Sequence, residues 1–514
     1  MRYVSTDEMR EIDSDTIVTS YPFPNVPRDD ALMKLASLGL SNFILRMCTF
    51  SGVKPSVYII FGPGNNGGDA VYAGLELSNH GFRVHYYAAF ERSRLRGSLA
   101  ALEADGKLAK TVWQDDSPWT DMPAPAIEQG AIIIDGILGI GAKGAPSGIT
   151  EKAIKWINAV SQRGTVVSVD VPSGLDADTG ESAGAVVKAD CTVCMGMPKK
   201  GMSSDNALSC SGSVYFADLK IAPDLLAGTD CVVHDEMVTG HDVAESVPCR
   251  KWNAHKGDLG HVCIIGGAPG YCGAPSLAAI GAMRAGAGLT SVYVPHEIAN
   301  AVASQAAEMM VWQLNGWCGI RNMDFKGKTL VAGPGMGRSD EAADAVKWLL
   351  DESGADTIVL DADGLNTFSD NIAFLSEVKS KLILTPHPGE AARLLGISVG
   401  EVQSDRVAAL KKLISLTGAT VILKGAGTLV SAPDKGVHLI PIVNPGMASG
   451  GMGDVLAGIA GALLARGMTA FDSARAAAWI HGHAGDIASW RLGEDGLLAT
   501  DVANSIGDAM RYLA

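Results

Sequence analysis

The chain has 514 residues, which is more than one ordinary hydrophobic core supports, so two or more domains are expected. Hydrophobic residues make up 47% and charged residues 19%, a composition that excludes an intrinsically disordered protein. The net charge of −15 argues against a nucleic-acid-binding protein, which would carry a basic patch or stripe.

Cysteine usage and the N-terminus predict a soluble, cytoplasmic protein without a membrane partner. The nine cysteines are odd in number and scattered, so they do not form a disulfide framework. Cys191 and Cys194 form one C-x-x-C in a strand-like context, which favours buried thiols over a zinc site. No apolar signal-peptide core opens the chain. The longest comparable apolar run, Val455 to Ala465, is too short to span a bilayer.

The first half of the chain predicts an α/β domain. Residues 1 to 50 look helical, with a proline-rich loop, YPFPNVPRDD, at 21–30. Short apolar runs then alternate with helical segments, which is typical of βαβ units and a mostly parallel sheet. The predicted strands are SVYIIF, RVHYYAA, AIIIDGI, TVVSVDV, CTVCM and SVYFA. The alternation stops near residue 220, and residues 221–248 predict a linker with a short helix.

A second alternating series predicts a second α/β domain, so the chain is interpreted as a fusion of two. Its predicted strands are HVCIIGG, LTSVYV, TLVAGPG, TIVLDADG, LILTPHPGE and TVILKGAGTLV. The segment NPGMASGGMGDVLAGIAGALLARG follows at 444–467, and helices continue from there to the C-terminus. The two halves share a fold class but no visible motif.

A glycine motif in the first half matches the dinucleotide-binding fingerprint. G-x-G-x-x-G begins at Gly62 between a strand and a helix, and Glu91 follows the next strand, where such a fold would hold the ribose. Two observations weaken this interpretation. The motif contains the polar sequence NNGGD at 65–69, and the same glycine spacing recurs from Gly139.

Acidic and polar residues follow three predicted strands of the first half, and the carboxyl ends of parallel strands form the ligand crevice of such a sheet. Asn66, Asp135 and Ser173 all offer oxygen ligands suited to a hard cation. Lys143 and Asp170 form a candidate proton-moving pair near them. Each residue taken alone is also a common turn former, but their joint occurrence at three strand ends favours a site.

In the second half, a glycine loop from Gly446 to Gly453 ends at Asp454, directly before the apolar helix. Such a loop offers backbone N–H groups and a positive dipole end to an anion, and an Asp in the first turn is stabilised as an anion. Asp454 is therefore a candidate general base for phosphoryl transfer, with the loop holding the developing charge. Spacing alone leaves open a flexible turn before a core helix.

Two further motifs point to a nucleotide and a substrate. KGAGT at 424–428 combines backbone donors with a cation, which suits nucleotide phosphates. No G-x-x-x-x-G-K-[ST] occurs in the sequence, so a P-loop enzyme is not expected. His387, between two prolines, could hydrogen-bond a substrate, although a lone His is often structural.

Taken together, these motifs resemble the bifunctional NAD(P)H-hydrate repair enzymes, which join an epimerase domain to a nucleotide-dependent dehydratase domain. The resemblance covers nearly the whole length. The matching segments are NNGGD (65–69), IIIDGILGIGAKG (132–144), VDVPSGLDADTG (169–180), HKGDLG (255–260), GPGMG (333–337), DADGLN (361–366), TPHPGEAARLLG (385–396), LKGAGT (423–428) and NPGMASGGMGDVLAGI (444–459).

The resemblance implies two three-layer αβα domains. Residues 1–225 would form a Rossmann-like epimerase domain and residues 245–514 a ribokinase-like dehydratase domain. The implied activity epimerises the R and S forms of hydrated NADH or NADPH. It then dehydrates the S form with ADP or ATP, by phosphorylation of the ring hydroxyl and elimination. A potassium ion, magnesium with the nucleotide and a homo-oligomer are also implied.

The family's roles carry over by motif onto positions of this sequence. Catalytic roles fall on Asp454 in the dehydratase and on Asp170 and Lys143 in the epimerase. The potassium ligands match Asn66, Asp135 and Ser173. Substrate and nucleotide positions match Asn65, Asn66, Gly67, Gly68, Asp69, Gly139, Ile140, Gly141, Ala142, Lys143, Gly144, Ala145 and Asp170 in the first half, and Ala274, Gly337, His387, Lys424, Gly425, Ala426, Gly427, Thr428, Gly453 and Asp454 in the second.

One segment departs from the family. DALMKLASLG at 30–39 lacks the usual acidic or polar residue followed by Ala-Gly after Leu-Met, and this helix is expected to border the epimerase pocket or a dimer contact. Two other interpretations remain. One is a small-molecule kinase of ribokinase-like fold with an accessory nucleotide-binding domain, and the other is a non-catalytic NAD-binding protein. The presence of Asp454 and LKGAGT disfavours the second.

Overall fold

The computed structural model describes residues 1–19, 28–112, 127–227, 235–511 and 513. It divides the chain into two compact units, Met1–Val232 and Val233–Ala514, called here the first and second unit. Most of the proline-rich loop predicted at 21–30 lies outside the described residues.

The first unit contains a sheet of six parallel strands in the order β2-β1-β3-β4-β5-β6. All six strands predicted from the sequence are confirmed. The strands are β1 (Val57–Phe61), β2 (Val84–Ala88), β3 (Ala131–Gly136), β4 (Gly164–Val169), β5 (Cys191–Met195) and β6 (Ser213–Ala217). The helices are α1 (Thr6–Thr19), α2 (Arg28–Ser51), α3 (Asn65–Asn79), α4 (Gly97–Ala104), α5 (Gly148–Val160), α6 (Asp205–Ser211) and α7 (Pro223–Ala227).

Helices cover both faces of this sheet. Successive side chains of a strand point to opposite faces, so the contacts of two neighbouring residues show what lies on each side. Ile59 of β1 lies against Gly74 of α3. Its neighbour Ile60 belongs to the opposite core cluster, with Ile154 and Ile157 of α5. The three-layer architecture predicted for the first half is confirmed. Cys191 and Cys194 are buried free thiols on β5, also as predicted.

Helix α2 is long and apolar enough between Ala31 and Ser51 to cross a membrane, although 44% of its most apolar 18-residue stretch is buried inside the protein. Core helices of soluble proteins can be equally long and apolar. Gly39 of α2 fits closely against Ala217 at the end of β6, since a Cβ added at Gly39 would lie 2.4 Å from the Ala217 side chain. This contact is that of a helix packed on the sheet.

The second unit contains a ten-stranded sheet in the order β10-β9-β8-β11-β12-β13-β14-β15-β16-β7. Its strands are β7 (Glu236–Met237), β8 (His261–Ile265), β9 (Leu289–Pro295), β10 (Met310–Leu314), β11 (Thr329–Ala332), β12 (Thr357–Leu360), β13 (Lys381–Leu384), β14 (Thr420–Leu423), β15 (Thr428–Ser431) and β16 (His438–Ile440). The helices are α8 (Gly240–Ser246), α9 (Gly273–Arg284), α10 (His296–Ala303), α11 (Asp340–Asp351), α12 (Ala362–Asn366), α13 (Pro388–Leu395), α14 (Val399–Ser404), α15 (Arg406–Thr417), α16 (Met452–Ala465), α17 (Ala470–Leu492) and α18 (Ala499–Arg511).

This sheet differs from the prediction at its edges. The segment TVILKGAGTLV holds two antiparallel strands, β14 and β15, joined by a short loop, where the sequence predicted one run. Strands β7, β10 and β16 were not predicted. β10 is an edge strand with mostly exposed residues, and β7 and β16 have only two and three residues. None of the three therefore produces a continuous apolar run.

Small residues bring helices α9 and α16 into close contact and so fix the position of the glycine loop. A Cβ added at Gly281 of α9 would lie 2.6 Å from the Val455 carbonyl oxygen. One added at Gly458 of α16 would lie 2.0 Å from that of Ala278. The backbones can approach this closely only because these positions lack side chains. The N-terminal end of α16, which carries Asp454, is thereby held rigidly.

The structure assigns β7 and α8 to the second unit, ahead of the boundary at residue 245 suggested by the sequence. The backbone N–H groups of Glu236 and Val238 donate to the carbonyl oxygens of Val437 and Leu439, at 3.0 and 2.9 Å. The second unit therefore begins before β7, inside the segment 221–248 that the sequence predicts as a linker.

We expect a fragment of residues 233–514 to be soluble and more stable than one of residues 251–514. The shorter fragment loses these two hydrogen bonds and also the one from the Val437 N–H to Asp235 Oδ1 at 2.8 Å. At about 1 kcal/mol each, their loss corresponds to a melting temperature at least roughly 6 °C lower. Thermal unfolding of both fragments measures the difference. Equal melting temperatures would show that β7 and α8 add nothing to the second unit.

Candidate functional sites

A cavity of about 570 Å³ lies at the carboxyl ends of the strands in the first unit. Helices α1 and α2 border it as well, through Asp13 and through Leu32, Met33 and Ala36. The segment at 30–39 that departs from the family therefore does border this pocket. The sequence-predicted residues that line the cavity are Asn65, Asn66, Asp69, Gly139, Ile140, Gly141, Ala142 and Asp170.

Other predicted residues of the first unit support the cavity without lining it. A Cβ added at Gly67 would lie 2.0 Å from the Gly62 carbonyl oxygen, so Gly67 allows α3 to start directly beneath the strand end. Gly68 lies against the side chain of Met33. Ala145 contacts Gly184, and Gly144 has a φ of 78° in the loop after β3.

Glu91, the ribose-binding candidate of the dinucleotide interpretation, is exposed. It is also absent from the residues that line the cavity. The position of Glu91 therefore does not support the interpretation of the first unit as an ordinary dinucleotide-binding domain.

The predicted cation ligands Asn66, Asp135 and Ser173 meet around Leu138, in the loop after β3. The Asn66 Nδ2 donates to the Leu138 carbonyl oxygen at 2.9 Å, and the Leu138 N–H donates to the Ser173 Oγ at 2.8 Å. The Ser173 hydroxyl in turn donates to Asp135 Oδ1 at 2.6 Å. Three residues 107 positions apart in sequence, from 66 to 173, are thus brought into one network.

Asp135 is fully buried and accepts further hydrogen bonds from the Ser173 N–H and the Ser168 hydroxyl, both at 2.9 Å. Burial raises the pKa of Asp135, and these hydrogen bonds act in the opposite direction. Among the described residues, no ion pair to Asp135 is found, so its charge has only dipoles to stabilise it. A bound monovalent cation would compensate this charge, and the neutral oxygens of Asn66 and Ser173 fit such an ion.

Asp170 does not pair with Lys143, and this prediction from the sequence is wrong. The carboxylate of Asp170 accepts a hydrogen bond from Lys199 Nζ and another, at 3.0 Å, from the Met195 N–H. Lys143 instead donates to Asp176 at 3.2 Å and to Asp178 at 2.8 Å. Asp170 follows β4, so its nearest neighbours come from β5 beside it, whereas Lys143 lies in the more exposed loop after β3.

Lys199 and Asp13 are the residues of this site that the sequence did not reveal. Lys199 lies in the segment MPKKG after β5, where no motif distinguishes it from its neighbour Lys200. Asp13 comes from the N-terminal helix α1 and reaches the cavity only through tertiary packing. Burial raises the pKa of Asp13 to about 6, with Lys199 opposing that shift.

In the second unit, Asp454 lies in the first turn of α16, as predicted. The helix begins three residues earlier than expected, after Gly451, whose φ of 90° only glycine adopts readily. Burial raises the pKa of Asp454 to about 7, and the negative charge of Asp361 adds to this effect. A carboxyl group with a pKa near neutrality is suited to accept and release protons.

Lys424 pairs with two acidic side chains close to Asp454. Its Nζ lies 2.9 Å from Asp361 Oδ1 and 3.7 Å from Glu390 Oε2. Burial acts to lower the pKa of Lys424, but Asp361 and Glu390 outweigh it and the pKa is raised. Thr385 donates to Asp361 at 2.6 Å and so fixes the carboxylate. The ammonium group remains charged beside the glycine loop.

The loop from Lys424 to Thr428 connects β14 with β15 and depends on its glycines. Gly425 and Gly427 have φ values of 150° and 62°, and the Thr428 hydroxyl donates to the Gly425 carbonyl oxygen at 3.0 Å. Arg406 of α15, which the sequence did not single out, donates to the Ala426 carbonyl oxygen at 2.7 Å. Two cationic side chains, Lys424 and Arg406, therefore lie at the base of this loop.

The predicted substrate residues of the second unit surround the same strand ends. His387 caps α13, accepting from the Gly389 N–H at 2.9 Å, and burial lowers its pKa, with Lys424 acting in the same direction. Its side chain is half-exposed. The Gly337 N–H donates to Asp363 at 3.0 Å. Ala274 fits against Gly335, where an added Cβ would approach to 3.0 Å.

Gly453 faces the Lys424–Asp361 pair. A Cβ added at this position would lie 3.1 Å from Lys424 Nζ and 3.8 Å from Asp361 Oδ2. The glycine loop, Asp454 and Lys424 therefore form one cluster at the carboxyl ends of β12 and β14. A helix N-terminus, a cation and a candidate base can hold an anion and take a proton next to it.

Two relatives align with most of the chain. The bifunctional NAD(P)H-hydrate repair enzyme of Coxiella burnetii is 35% identical over 446 residues, which cover 87% of this chain and 88% of that protein. Its counterpart in Moorella thermoacetica is 32% identical over 528 residues, covering 100% of this chain and 97% of that protein. The chain belongs to this family.

Two family models match separate parts of this repair-enzyme chain. The model described as YjeF-related protein N-terminus matches residues 29–201, and the model described as NAD(P)H-hydrate dehydratase matches residues 262–507. The solved ADP/ATP-dependent NAD(P)H-hydrate dehydratase from Bacillus subtilis, co-crystallized with ATP/Mg2+, is 25% identical with a TM-score of 0.49. It covers 55% of this chain and 100% of that chain. The family membership inferred from the motifs is confirmed.

Proposed function

We propose that this chain repairs hydrated nicotinamide nucleotides in two steps. The first unit interconverts the R and S forms of hydrated NADH or NADPH, and the second unit dehydrates the S form to NADH or NADPH with ADP or ATP. The observation that carries the proposal is the placement of Asp454, at the start of α16, beside the Lys424–Asp361 pair.

The chemistry of dehydration explains why a phosphoryl-transfer site suits this substrate. Hydroxide is a poor leaving group, and phosphorylation of the ring hydroxyl converts it into a good one. The hydroxyl loses its proton to Asp454 as it attacks the terminal phosphate of the nucleotide. The N–H groups of the glycine loop and the ammonium of Lys424 stabilise the charge on the phosphoryl oxygens. The nucleotide leaves with one phosphate fewer. Phosphate then leaves the ring with the C–O bonding pair while the neighbouring ring carbon loses a proton, which restores the ring double bond.

The loop 424–428 and the glycine loop are the proposed nucleotide contacts, and His387, Gly337 and Ala274 the proposed substrate contacts. Magnesium bound with ADP or ATP would neutralise phosphate charge. A small-molecule kinase with an accessory first domain is the weaker alternative, because the relatives' similarity extends over both halves of the chain. Cytoplasmic location and a homo-oligomeric state stay predictions.

The direct test of the proposal is an assay of the purified chain with hydrated NADH and either ADP or ATP. We expect the absorbance of the reduced nicotinamide to return in proportion to nucleotide consumed. Transfer of phosphate to some other small molecule, without any recovery of NADH, would favour the kinase alternative.

We also propose that Asn66, Asp135 and Ser173 hold a potassium ion in the first unit. Potassium bound there would compensate the buried charge of Asp135 and order the loop after β3, which lines the cavity. Among the described residues, no group of three or more His, Cys, Asp or Glu side chains that could hold a metal is found. A single carboxylate with neutral oxygens is better suited to a monovalent ion than to a divalent one.

We expect epimerisation to slow when potassium is replaced by tetramethylammonium, and Asp135→Ala to impair it in either buffer. Potassium should also raise the melting temperature of the wild-type chain, because a ligand that binds the folded state stabilises it. The variant Asp105→Ala, which removes an exposed acidic residue of the first unit outside this network, serves as the control for the loss of charge. Equal rates and equal melting temperatures in both buffers would remove the basis for the assignment.

A further inference from the structure

The environment of Lys199 in the first unit is unusual for a lysine. Its side chain is 1% exposed, yet residues of this type are almost never fully buried unless paired. Lys199 borders the substrate cavity, together with Asp13, Asp69 and Asp170. The Val4–Lys199 bridge between the N-terminal segment and the chain after β5 fixes its backbone.

All three hydrogens of the Lys199 ammonium are directed to protein partners. Its Nζ donates to Asp170 Oδ1, to the Met195 carbonyl oxygen at 2.9 Å and to Cys194 Sγ at 3.6 Å. Burial acts to lower the pKa of Lys199, but the charge of Asp170 outweighs it and the pKa is raised. Lys199 is therefore a fixed cation, with no hydrogen left over for a substrate.

Asp170 is held in a conformation that an aspartate rarely adopts. Its φ is 66°, in the left-handed region that costs energy for a residue with a side chain. Its Oδ1 accepts from both Lys199 and the Met195 N–H, whereas no hydrogen bond to Oδ2 is found among the described residues. One oxygen of the carboxylate is thus saturated by the protein, and the other remains available at the cavity.

Epimerisation of the hydrate replaces the hydroxyl on one ring carbon by a hydroxyl on its other face, and the protons that move are those on oxygen. The hydroxyl gains a proton and leaves as water with the C–O bonding pair, while the lone pair of the ring nitrogen stabilises the resulting cation. Water then adds to the opposite face and loses a proton, so no oxidant or reductant is needed. A carboxylate held at a fixed place beside the ring can take up that second proton.

We propose that Lys199 is a positioning residue of the epimerase site, which fixes the Asp170 carboxylate so that its Oδ2 accepts a proton from the incoming water. The inference rests on the proposed function of the first unit. Lys199 acts through Asp170 and does not itself exchange a proton. Burial raises the pKa of Asp69 well above its usual range and that of Asp13 to about 6, and both carboxyl groups border the same cavity as Asp170.

A double-mutant cycle on the full chain tests this inference. We expect Lys199→Met to lower kcat for epimerisation at least about a hundredfold, with little change in KM and none in dehydratase activity. Asp170→Asn should be similarly impaired. In the Asp170→Asn background, Lys199→Met should cost nothing more, because residues that act as a unit are not additive. Lys188→Met is the matched control, since Lys188 contacts Cys210 and does not line the cavity.

Each outcome of the double-mutant cycle supports or contradicts the positioning role of Lys199. A folded Lys199→Met variant that keeps most of its kcat would overturn the inference. If that variant fails to fold, because its partner is left buried and unpaired, the comparison of the double variant with Asp170→Asn decides. Equal kcat values support the positioning role, and a further tenfold loss would contradict it. Absence of epimerase activity in the wild-type chain would instead refute the proposed function of the first unit.

Discussion

Asp454→Asn should lower kcat of the dehydratase by at least about a hundredfold, the lower range of losses when a general base is removed. Asparagine keeps the size of the side chain and its place in the first turn of α16, but it cannot take the proton of the substrate hydroxyl. The affinities for nucleotide and substrate should change little, because the glycine loop and Lys424 remain.

The pH profile gives a second measure of the same variant. With the pKa of Asp454 raised to about 7, the base loses its charge as the pH falls through neutrality, so wild-type kcat should decline below about pH 7 and this limb should be absent from the variant. Asp340→Asn is the matched control, an exposed acidic residue in the first turn of α11. A variant that keeps most of its kcat would place the base elsewhere, and one that fails to bind nucleotide would make Asp454 structural.

Lys424→Met should also reduce dehydratase activity by about a hundredfold, in the range observed when a preorganised charge at a transition state is removed. Two effects combine in this variant. The phosphoryl oxygens lose a cation, and Asp361, Glu390 and Asp454 lose the positive charge that offsets their mutual repulsion. KM for the nucleotide should rise together with the fall in kcat.

The sign of the pH effect distinguishes Lys424 from a residue that only binds nucleotide. Lys424 lowers the pKa of Asp454, so its removal should move the acidic limb of the kcat profile to higher pH. Lys411→Met, on the exposed surface of α15, controls for the loss of one positive charge. An unchanged pH profile with a raised KM alone would limit Lys424 to nucleotide binding.

The strands of both units were predictable because strands buried on both faces appear as continuous apolar runs. AIIIDGI, for example, becomes the fully buried β3. The edge strand β10 was not predictable in this way, because most of its residues are exposed and the sequence MVWQL lacks a run of that kind. The two-residue strand β7 is defined by its pairing with β16, a long-range contact that local composition does not encode. β16 itself pairs with β15, but its three residues are too few to stand out in the sequence.

The candidate sites were predictable to the extent that they follow the strand-end rule. Asn66 and Ser173 follow β1 and β4, Asp135 lies near the end of β3 between them, and the structure brings the three together around Leu138. The sequence could not show which lysine pairs with Asp170, because Lys143 and Lys199 both lie in segments that follow strands. Asp361 could have been found, since it directly follows β12 in the motif DADGLN, much as Asp135 lies at the carboxyl end of β3.

The most direct test of the two-step repair uses the purified R form of hydrated NADH with ADP or ATP. The full chain should convert it completely to NADH, whereas the fragment 233–514 should convert it only as fast as the R form epimerises without a catalyst. Adding the S form should remove this difference between the two proteins. Equal rates for the full chain and the fragment on the R form would contradict an epimerase in the first unit, and no NADH from the S form would contradict a dehydratase in the second.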